Sequence, residues 1–284
     1  MPVTESPLRY PGGKTQLSPF VVDLTRVNDL YGGVYAEPFA GGAGIAWRLL
    51  LNGDMTEVWL NDIDLAIFSF WDATLNRPDE LCERISRAQL NMEEWRKQRS
   101  ALLDATTRPD DLAFATLFMN RTNRSGILKA GVIGGKEQTG NYKLDCRFNR
   151  EELIEKIQRI HVYRDVVRLS RRDAKDCILD WAKVMPRRAL MNIDPPYFTQ
   201  GRDLYLSFYT PDDHAQLAKL VRSLKVPWML TYDDAPEIEG LYKGLPLYKK
   251  SLIYYAQVKR RASEILVLSK RLVPPDDLSV ALVA

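Results

Sequence analysis

Residues 189–197, which read ALMNIDPPY, constrain the fold more than any other stretch of the chain. The apolar run at its start is typical of a buried strand. Two consecutive prolines then lack backbone N–H groups and fix their own φ angles, so the segment can neither extend a sheet ladder nor begin a helix at once. The pattern predicts a stiff loop at the carboxyl end of a strand, where open α/β sheets place their ligands.

This loop combines acceptor groups with an aromatic ring. Asp194 supplies a carboxylate, the prolines leave a main-chain carbonyl exposed, and Tyr197 supplies a flat ring. The exocyclic amino group of a base is a poor nucleophile because its lone pair is conjugated into the ring, and two acceptors could hold its hydrogens while the aromatic ring stacks on the base. A proline-stiffened turn capped by Asp194 explains the same four residues equally well, so the rest of the chain must decide.

Composition indicates an ordinary globular protein. The chain has 284 residues, of which 45% are hydrophobic and 27% charged, enough for one large domain with or without an insertion. No run of about 18 apolar residues occurs, so we expect no membrane span. The start lacks a signal pattern, and three scattered cysteines predict a reduced, cytoplasmic setting. Neither the cysteines nor the two histidines have metal-ligand spacing, so no metal is expected.

A second motif predicts the beginning of a nucleotide-binding α/β unit. Residues 34–44 read VYAEPFAGGAG, a short strand followed by a glycine-rich turn and then a helix. The turn matches neither a dinucleotide fingerprint nor a phosphate-binding loop. The next strand, 57–60, ends near Asp62, which is placed to accept hydrogen bonds from ribose hydroxyls. Asp64 is better suited to capping the following helix.

The middle of the chain changes character at about residue 119. Residues 65–118 have a helical pattern, whereas residues 119–150 are polar and glycine-rich and contain seven basic and two acidic residues. Their net charge of +5 exceeds the +3 of the whole chain. Arginine and asparagine are side chains that read base edges, so we expect contact with nucleic acid here. A solvated basic loop is the alternative.

The beginning of the chain is ambiguous by itself. Residues 6–14 read SPLRYPGGK, a proline- and glycine-rich loop with an aromatic residue and two cations. Such a loop could be a disordered lead-in, or it could bring Lys14 close to a polar ligand.

Four pieces of sequence now stand in one order: RYPGGK at 9–14, EPFAGGAG at 37–44, ND at 61–62 and, after an insertion, DPPY at 194–197. This arrangement resembles the Dam-type family of DNA adenine-N6 methyltransferases (D12 class, alpha arrangement), from about residue 7 to 270. The resemblance implies an α/β fold, a Rossmann-like S-adenosylmethionine-dependent methyltransferase sheet with a mainly helical inserted target-recognition domain. It places the catalytic domain at 1–64 and 161–284 and the inserted domain at 65–160.

The resemblance also implies residue roles. The catalytic residues would be Asp194, Pro195, Pro196 and Tyr197. The S-adenosylmethionine site would comprise Tyr10, Lys14, Glu37, Phe39, Gly41, Gly42, Asp62 and Asp194. DNA would contact Arg9, Arg121, Asn123, Arg124 and Lys129. Asn120 and Arg121 match a pair that opens the family's recognition hairpin, but residues 122–128 depart from the family pattern, so no particular recognition sequence is implied.

The implied activity is site-specific transfer of a methyl group from S-adenosylmethionine to the N6 of a flipped-out adenine in double-stranded DNA. The implied setting is bacterial or phage, cytoplasmic, without metal or membrane. We expect a monomer, with a dimer on DNA as the alternative. The competing interpretations are an RNA adenine-N6 methyltransferase and a catalytically silent DNA-binding protein. Protein-glutamine methyltransferases have Asn where this chain has Asp194, and an oxidoreductase would need a dinucleotide fingerprint that is missing.

Overall fold

The computed structural model describes residues 4–9, 14–199, 209–255, 259–275 and 281–282. Within these residues the strands are β1 (Val34–Glu37), β2 (Glu57–Asn61), β3 (Val167–Ser170), β4 (Ala189–Ile193), β5 (Trp228–Asp233), β6 (Leu247–Tyr255), β7 (Lys259–Leu268) and β8 (Ala281–Leu282). All of these strands join one sheet in the order β3-β2-β1-β4-β5-β7-β6-β8. The first five in this order run parallel, and β7 is antiparallel to its neighbours β5 and β6.

The strand order creates a crevice beside β1. The chain proceeds outward from β1 to β2 and β3, then crosses back to place β4 on the other side of β1. Val34 therefore pairs with Glu57 in β2 and with Ala189 in β4. In open α/β sheets, ligands bind at such a reversal, outside the carboxyl ends of the strands.

Helices cover both faces of the sheet because its central strands are apolar on both sides. Tyr35 packs into one core cluster, whereas Val34 and Ala36 pack into the other. The described α-helices are α1 (Ser18–Val27), α2 (Gly44–Leu51), α3 (Leu65–Asn76), α4 (Pro78–Arg87), α5 (Met92–Leu103), α6 (Pro109–Thr122), α7 (Arg150–His161), α8 (Ala174–Val184), α9 (Pro211–Ser223) and α10 (Pro236–Tyr242). None of these helices meets the length and hydropathy needed to cross a bilayer.

The segment between β2 and β3 is mainly helical, with α3 to α7 in succession. Its apolar side chains share one continuous core with α1, α2 and the near face of the sheet, as Phe70, Phe118 and Ile157 illustrate. Helix α6 continues to Thr122, four residues past the point where the sequence pattern predicts an irregular segment. The assignment of residues 65–160 to a separate target-recognition domain stays a prediction.

Candidate active site

The carboxyl ends of β1 and β4 bring together two motifs that are 150 residues apart in the chain. Glu37 ends β1, and its Oε1 lies 3.5 Å from Nδ2 of Asn192 in β4. Asp194 follows β4 directly, and its negative charge contributes to raising the pKa of Glu37. The glycine-rich turn after β1 and the proline loop after β4 therefore begin at the ends of neighbouring parallel strands.

The glycine-rich turn is held in place from two sides. The backbone N–H of Gly41 donates to Oδ2 of Asp62 at 2.8 Å, and the Gly41 carbonyl accepts from the indole N–H of Trp71 at 2.8 Å. Gly41 has a φ of 47°, in the left-handed region that glycine adopts without strain. Gly42 is buried beside it and Phe39 is half-buried. The turn is therefore rigid before any ligand arrives.

Asp194 is fixed by two side chains from distant parts of the chain. The Lys14 ammonium lies 3.0 Å from its Oδ1 and 3.2 Å from its Oδ2, and the Thr231 hydroxyl donates to Oδ1 at 2.6 Å. Lys14 is almost fully buried, whereas the Asp194 side chain keeps 27% of its surface exposed. A carboxylate can accept about four hydrogen bonds, so this one retains acceptor capacity toward the crevice.

The Tyr197 ring is buried, and its hydroxyl contacts Glu264 and Lys14. The phenol donates to Oε1 of Glu264 at 2.6 Å and accepts from the Lys14 ammonium at 3.1 Å. The same ammonium lies 4.9 Å from the centre of the Tyr197 ring. Pro195 is buried and Pro196 half-buried between these two anchored residues.

The two residues that follow Tyr197 are attached to β5. The Asp233 carboxylate accepts from the backbone N–H groups of Phe198 and Thr199 at 2.7 and 2.9 Å. Phe198 also packs against the ring of His214, whose Nδ1 is hydrogen bonded to the Tyr232 hydroxyl. His214 is thus a packing residue, and in the sequence it likewise has no metal-ligand spacing.

Three acids around the crevice share one electrostatic feature. Burial is the largest cause in each case and raises the pKa of Glu37 to about 8 and the pKa values of Asp62 and Glu264 to about 7. Asp64 raises the pKa of Asp62 further, whereas the N–H groups of Gly41 and Asp64 lower it. These acids titrate near neutral pH, as groups in functional clefts often do.

The raised pKa of Glu37 predicts a pH-dependent stability. The folded chain keeps the Glu37 proton up to about pH 8 and the unfolded chain releases it near its ordinary value, so the free energy of unfolding should fall as pH rises between them. We expect Glu37→Gln to remove part of this decline, on the order of a few kcal/mol. Urea unfolding at pH 6 and pH 8 measures it. If the free energy of unfolding changes equally between pH 6 and pH 8 in Glu37→Gln and in wild type, the raised pKa of Glu37 is contradicted. Glu57→Gln, at the amino end of β2, is the control.

The beginning of the chain is clamped onto the insertion. Asn120 accepts the backbone N–H of Arg9 at 2.8 Å and donates to its carbonyl at 2.7 Å, pairing with both main-chain groups as a strand would. It also donates to the carbonyl of Gly126, and Arg121 donates to the carbonyl of Pro7 at 2.7 Å. This clamp, formed by Asn120 and Arg121, fixes the backbone at Pro7 and Arg9.

The residues expected to contact DNA divide into two groups. Arg121 is 8% exposed and Asn123 is fully buried, where Asn123 accepts from the indole of Trp95. The structure gives these two side chains interior roles instead of the expected surface roles, because Arg121 lies in the last turn of the buried helix α6 and Asn123 follows this helix directly. Arg124 and Lys129 are exposed, and Arg9 is half-buried.

The structure adds three site residues that the sequence analysis does not identify: Thr231, Asp233 and Glu264. The first two lie at the end of β5. Glu264 lies in β7, where it pairs with Asp233 of β5. The available signal for Glu264 is an acid at the start of the apolar run EILVL in a strand. Of the expected cofactor residues, Tyr10 lies outside the described residues, and Lys14 begins a short 3-10 helix and contacts Asp194. The others lie at or just after the carboxyl ends of β1, β2 and β4: Glu37, Phe39, Gly41, Gly42, Asp62 and Asp194.

The sheet order, the glycine turn after β1 and the proline loop after β4 define a Rossmann-like methyltransferase domain. A family model described as D12 class N6 adenine-specific DNA methyltransferase matches residues 10–258. The chain therefore belongs to this family of adenine-specific DNA methyltransferases, which confirms both the resemblance and the fold class. A search of curated proteins gives no match. A structural search finds similarity to the rRNA methyltransferase aviRa from Streptomyces viridochromogenes, with 13% identity, 92% of this chain and 86% of that chain covered, and a TM-score of 0.37.

Membership of this family implies S-adenosylmethionine as the methyl donor. The donor set fits such a molecule. The Asp62 carboxylate accepts one N–H on each oxygen, from Gly41 and Asp64, and so keeps acceptor positions for a ribose diol. The Asp194 carboxylate suits the positive charge that the donor carries. Among the described residues no group of three His, Cys, Asp or Glu could hold a metal ion.

Proposed function

We propose that this DNA adenine methyltransferase is site-specific and acts on an adenine rotated out of double-stranded DNA. The observation that carries the proposal is the Asp194 carboxylate, anchored by Lys14 and Thr231 with acceptor capacity left toward the crevice. Because N6 cannot be approached in line with a methyl donor while the base is stacked, rotation out of the duplex, which costs a few kcal/mol, accompanies methylation.

Asp194 and the Pro195 carbonyl accept hydrogen bonds from the N6 amino group, which favours a pyramidal nitrogen with an available lone pair. Tyr197 contacts the face of the base. S-adenosylmethionine supplies, when bound, a methyl group on a positively charged sulfur. The nitrogen becomes more acidic as it is methylated, so Asp194 can take its proton without being a strong base. Positioning and fixed dipoles provide the acceleration.

In this proposal Glu37, Phe39, Gly41, Gly42 and Asp62 form the cofactor side of the crevice, together with Lys14 and Tyr10. Asp62 binds the ribose hydroxyls, for which its position after β2 and its anchoring of Gly41 are the support. The exposed Arg124 and Lys129, with Arg9, bind DNA.

Labelled S-adenosylmethionine tests the substrate class directly. Incubation with double-stranded DNA, single-stranded DNA, RNA and protein should place label on double-stranded DNA, and N6-methyladenine mapping in cells that express the chain should give one short sequence motif. Expression of Asp194→Ala provides the background. Label on RNA would support the RNA methyltransferase instead, and label at adenines without a common motif would refute site specificity.

The DNA contacts predict a change in salt dependence. Arg124→Ala and Lys129→Ala should each weaken DNA binding and reduce the slope of log K against log salt by about 0.9, because each removes one phosphate contact. Fluorescence anisotropy over a salt series measures the slope. Lys183→Ala, an exposed lysine of α8 on the other face of the sheet, is the matched control. Slopes equal to that of wild type in both variants would place the DNA surface elsewhere.

A further inference from the structure

Glu264 is a buried carboxylate that the proposed chemistry does not use. It lies in β7 with 3% of its surface exposed, between Ser263 and Ile265. A buried charge is costly unless it is paired and hydrogen bonded. The partners that hold Glu264 therefore indicate what it does.

Both described partners of Glu264 belong to the catalytic cluster. Its Oε1 accepts from the Tyr197 hydroxyl at 2.6 Å and lies 3.5 Å from the Lys14 ammonium. Lys14 in turn donates to Asp194 at 3.0 Å and to the Tyr197 hydroxyl at 3.1 Å. One ammonium is thus shared by two carboxylates, with a phenol between them.

We infer that Glu264 is a positioning residue for adenine methylation, which holds the Lys14 ammonium and the Tyr197 ring so that Asp194 keeps an acceptor position for the amino group of the base. This inference rests on the proposed function of Asp194. No contact between Glu264 and the reacting atoms is required, because Glu264 acts through Lys14 and Tyr197.

Charge balance is the first argument for this role. Lys14 and Thr231 already occupy part of the acceptor capacity of Asp194. Without a second carboxylate on its other side, the ammonium would be drawn closer to the Asp194 oxygens, which it already contacts at 3.0 and 3.2 Å, and would compete with the base. Oε2 of Glu264 is buried and has no hydrogen-bond partner among the described residues, so Glu264 has acceptor capacity for the ammonium.

Orientation of the ring is the second argument. A tyrosine ring in a loop can rotate, but a hydrogen bond from its hydroxyl to a carboxylate in the sheet fixes its direction. Glu264 is in turn fixed by pairing with Asp233 in β5, the residue that caps the same loop. The strand pair β5–β7 thus holds residues 194–199 at both ends, through Thr231 at Asp194 and through Asp233 at Phe198.

The titration of Glu264 provides a readout that a merely structural residue would not show. Burial raises the pKa of Glu264 to about 7; the Lys14 charge lowers it and the Asp194 charge raises it, with the Tyr197 hydroxyl donating to the ionised form. The residues paired with Glu264 in the sheet are Asp233 of β5 and Lys250 of β6. Below about pH 7 the carboxyl is neutral and no longer attracts Lys14, so kcat should fall as pH falls.

The experiment compares kcat, KM and their pH profiles in wild type and Glu264→Gln on DNA. We expect kcat in Glu264→Gln to fall by about 10- to 100-fold, with S-adenosylmethionine affinity within about threefold of wild type. Its profile should lack the decline below about pH 7, because glutamine resembles the protonated acid at every pH. Glu57→Gln is the matched control, because it removes an acid at the amino end of β2, away from the strand ends that carry the site.

The outcomes separate the two levels of the argument. A wild-type protein that methylates DNA, together with unchanged kcat and an unchanged pH profile in Glu264→Gln, would overturn the role of Glu264 and leave the function intact. A wild-type protein that transfers no methyl group to DNA would refute the proposed function instead. If Glu264→Gln does not fold, Tyr197→Phe decides: it removes only the hydroxyl, and an unchanged kcat in that variant would overturn the inference.

Discussion

Asp194→Ala should lower kcat for DNA methylation by at least about 1,000-fold, the largest effect that we expect from one substitution. In the proposed mechanism this side chain contributes the carboxylate that orients the N6 amino group and receives its proton. The variant should still fold, because Lys14 keeps Glu264 as an ionic partner 3.5 Å away. S-adenosylmethionine affinity should be weakened by no more than about 10-fold, since only one electrostatic contact is lost.

Methyl transfer under single-turnover conditions, with cofactor affinity measured by calorimetry, checks this result. Asp194→Asn keeps the shape and one acceptor oxygen, so we expect an activity between those of wild type and Asp194→Ala. Asp176→Ala, an exposed acid in the first turn of α8, serves as the matched control. Near-normal turnover in Asp194→Ala would remove Asp194 from the reaction.

Asp62→Ala should weaken S-adenosylmethionine binding by about 10- to 100-fold, the second largest expected effect, because it removes hydrogen bonds to a charged acceptor worth about 1.5–3 kcal/mol. It also frees the Gly41 N–H that the carboxylate holds at 2.8 Å. Burial raises the pKa of Asp62 to about 7, and the ionised form is the better acceptor. Wild-type affinity should therefore weaken as pH falls below about 7.

Calorimetric titration with S-adenosylmethionine at pH 6 and pH 8 separates this role from a structural one. Asp64→Ala is the closest comparison: Asp64 caps α3 by accepting from Ala66, so its loss should lower stability by about 1 kcal/mol and leave affinity at pH 8 nearly unchanged. Because the Asp64 charge raises the pKa of Asp62, the decline in affinity should move to lower pH in this variant. Equal losses of affinity in both variants would indicate a general effect of the β2–α3 connection rather than recognition of the ribose.

The sequence predicts the strands and the loops that end them because local patterns determine both. The apolar run before Asp194 forms β4, and the acid after β2 faces the glycine turn. Helix starts are equally local: Asn149 and Thr210 cap α7 and α9 as their composition suggests, with Thr210 and Asp213 forming a reciprocal capping box.

Contacts between distant segments could not be predicted in this way. Glu264 meets Tyr197 only because β7 inserts between β5 and β6, which no local pattern specifies. Composition alone also does not reveal which way a side chain points: Arg121 adds to the positive charge of its segment and Asn123 to its polarity, yet both point inward and bond to interior groups. Their position directly after the apolar run FATLFM was the available sign of burial.

The clamp of Asn120 and Arg121 bears on attempts to change the recognition sequence by grafting an insertion from a relative. The graft would replace the side chain that holds both main-chain groups of Arg9, which stands five residues before Lys14 in the sequence. Gly126 adds a steric requirement, because a Cβ there would lie 2.1 Å from the Arg9 carbonyl. A chimera should therefore exchange residues 4–9 together with the insertion, or its turnover will decline along with its specificity.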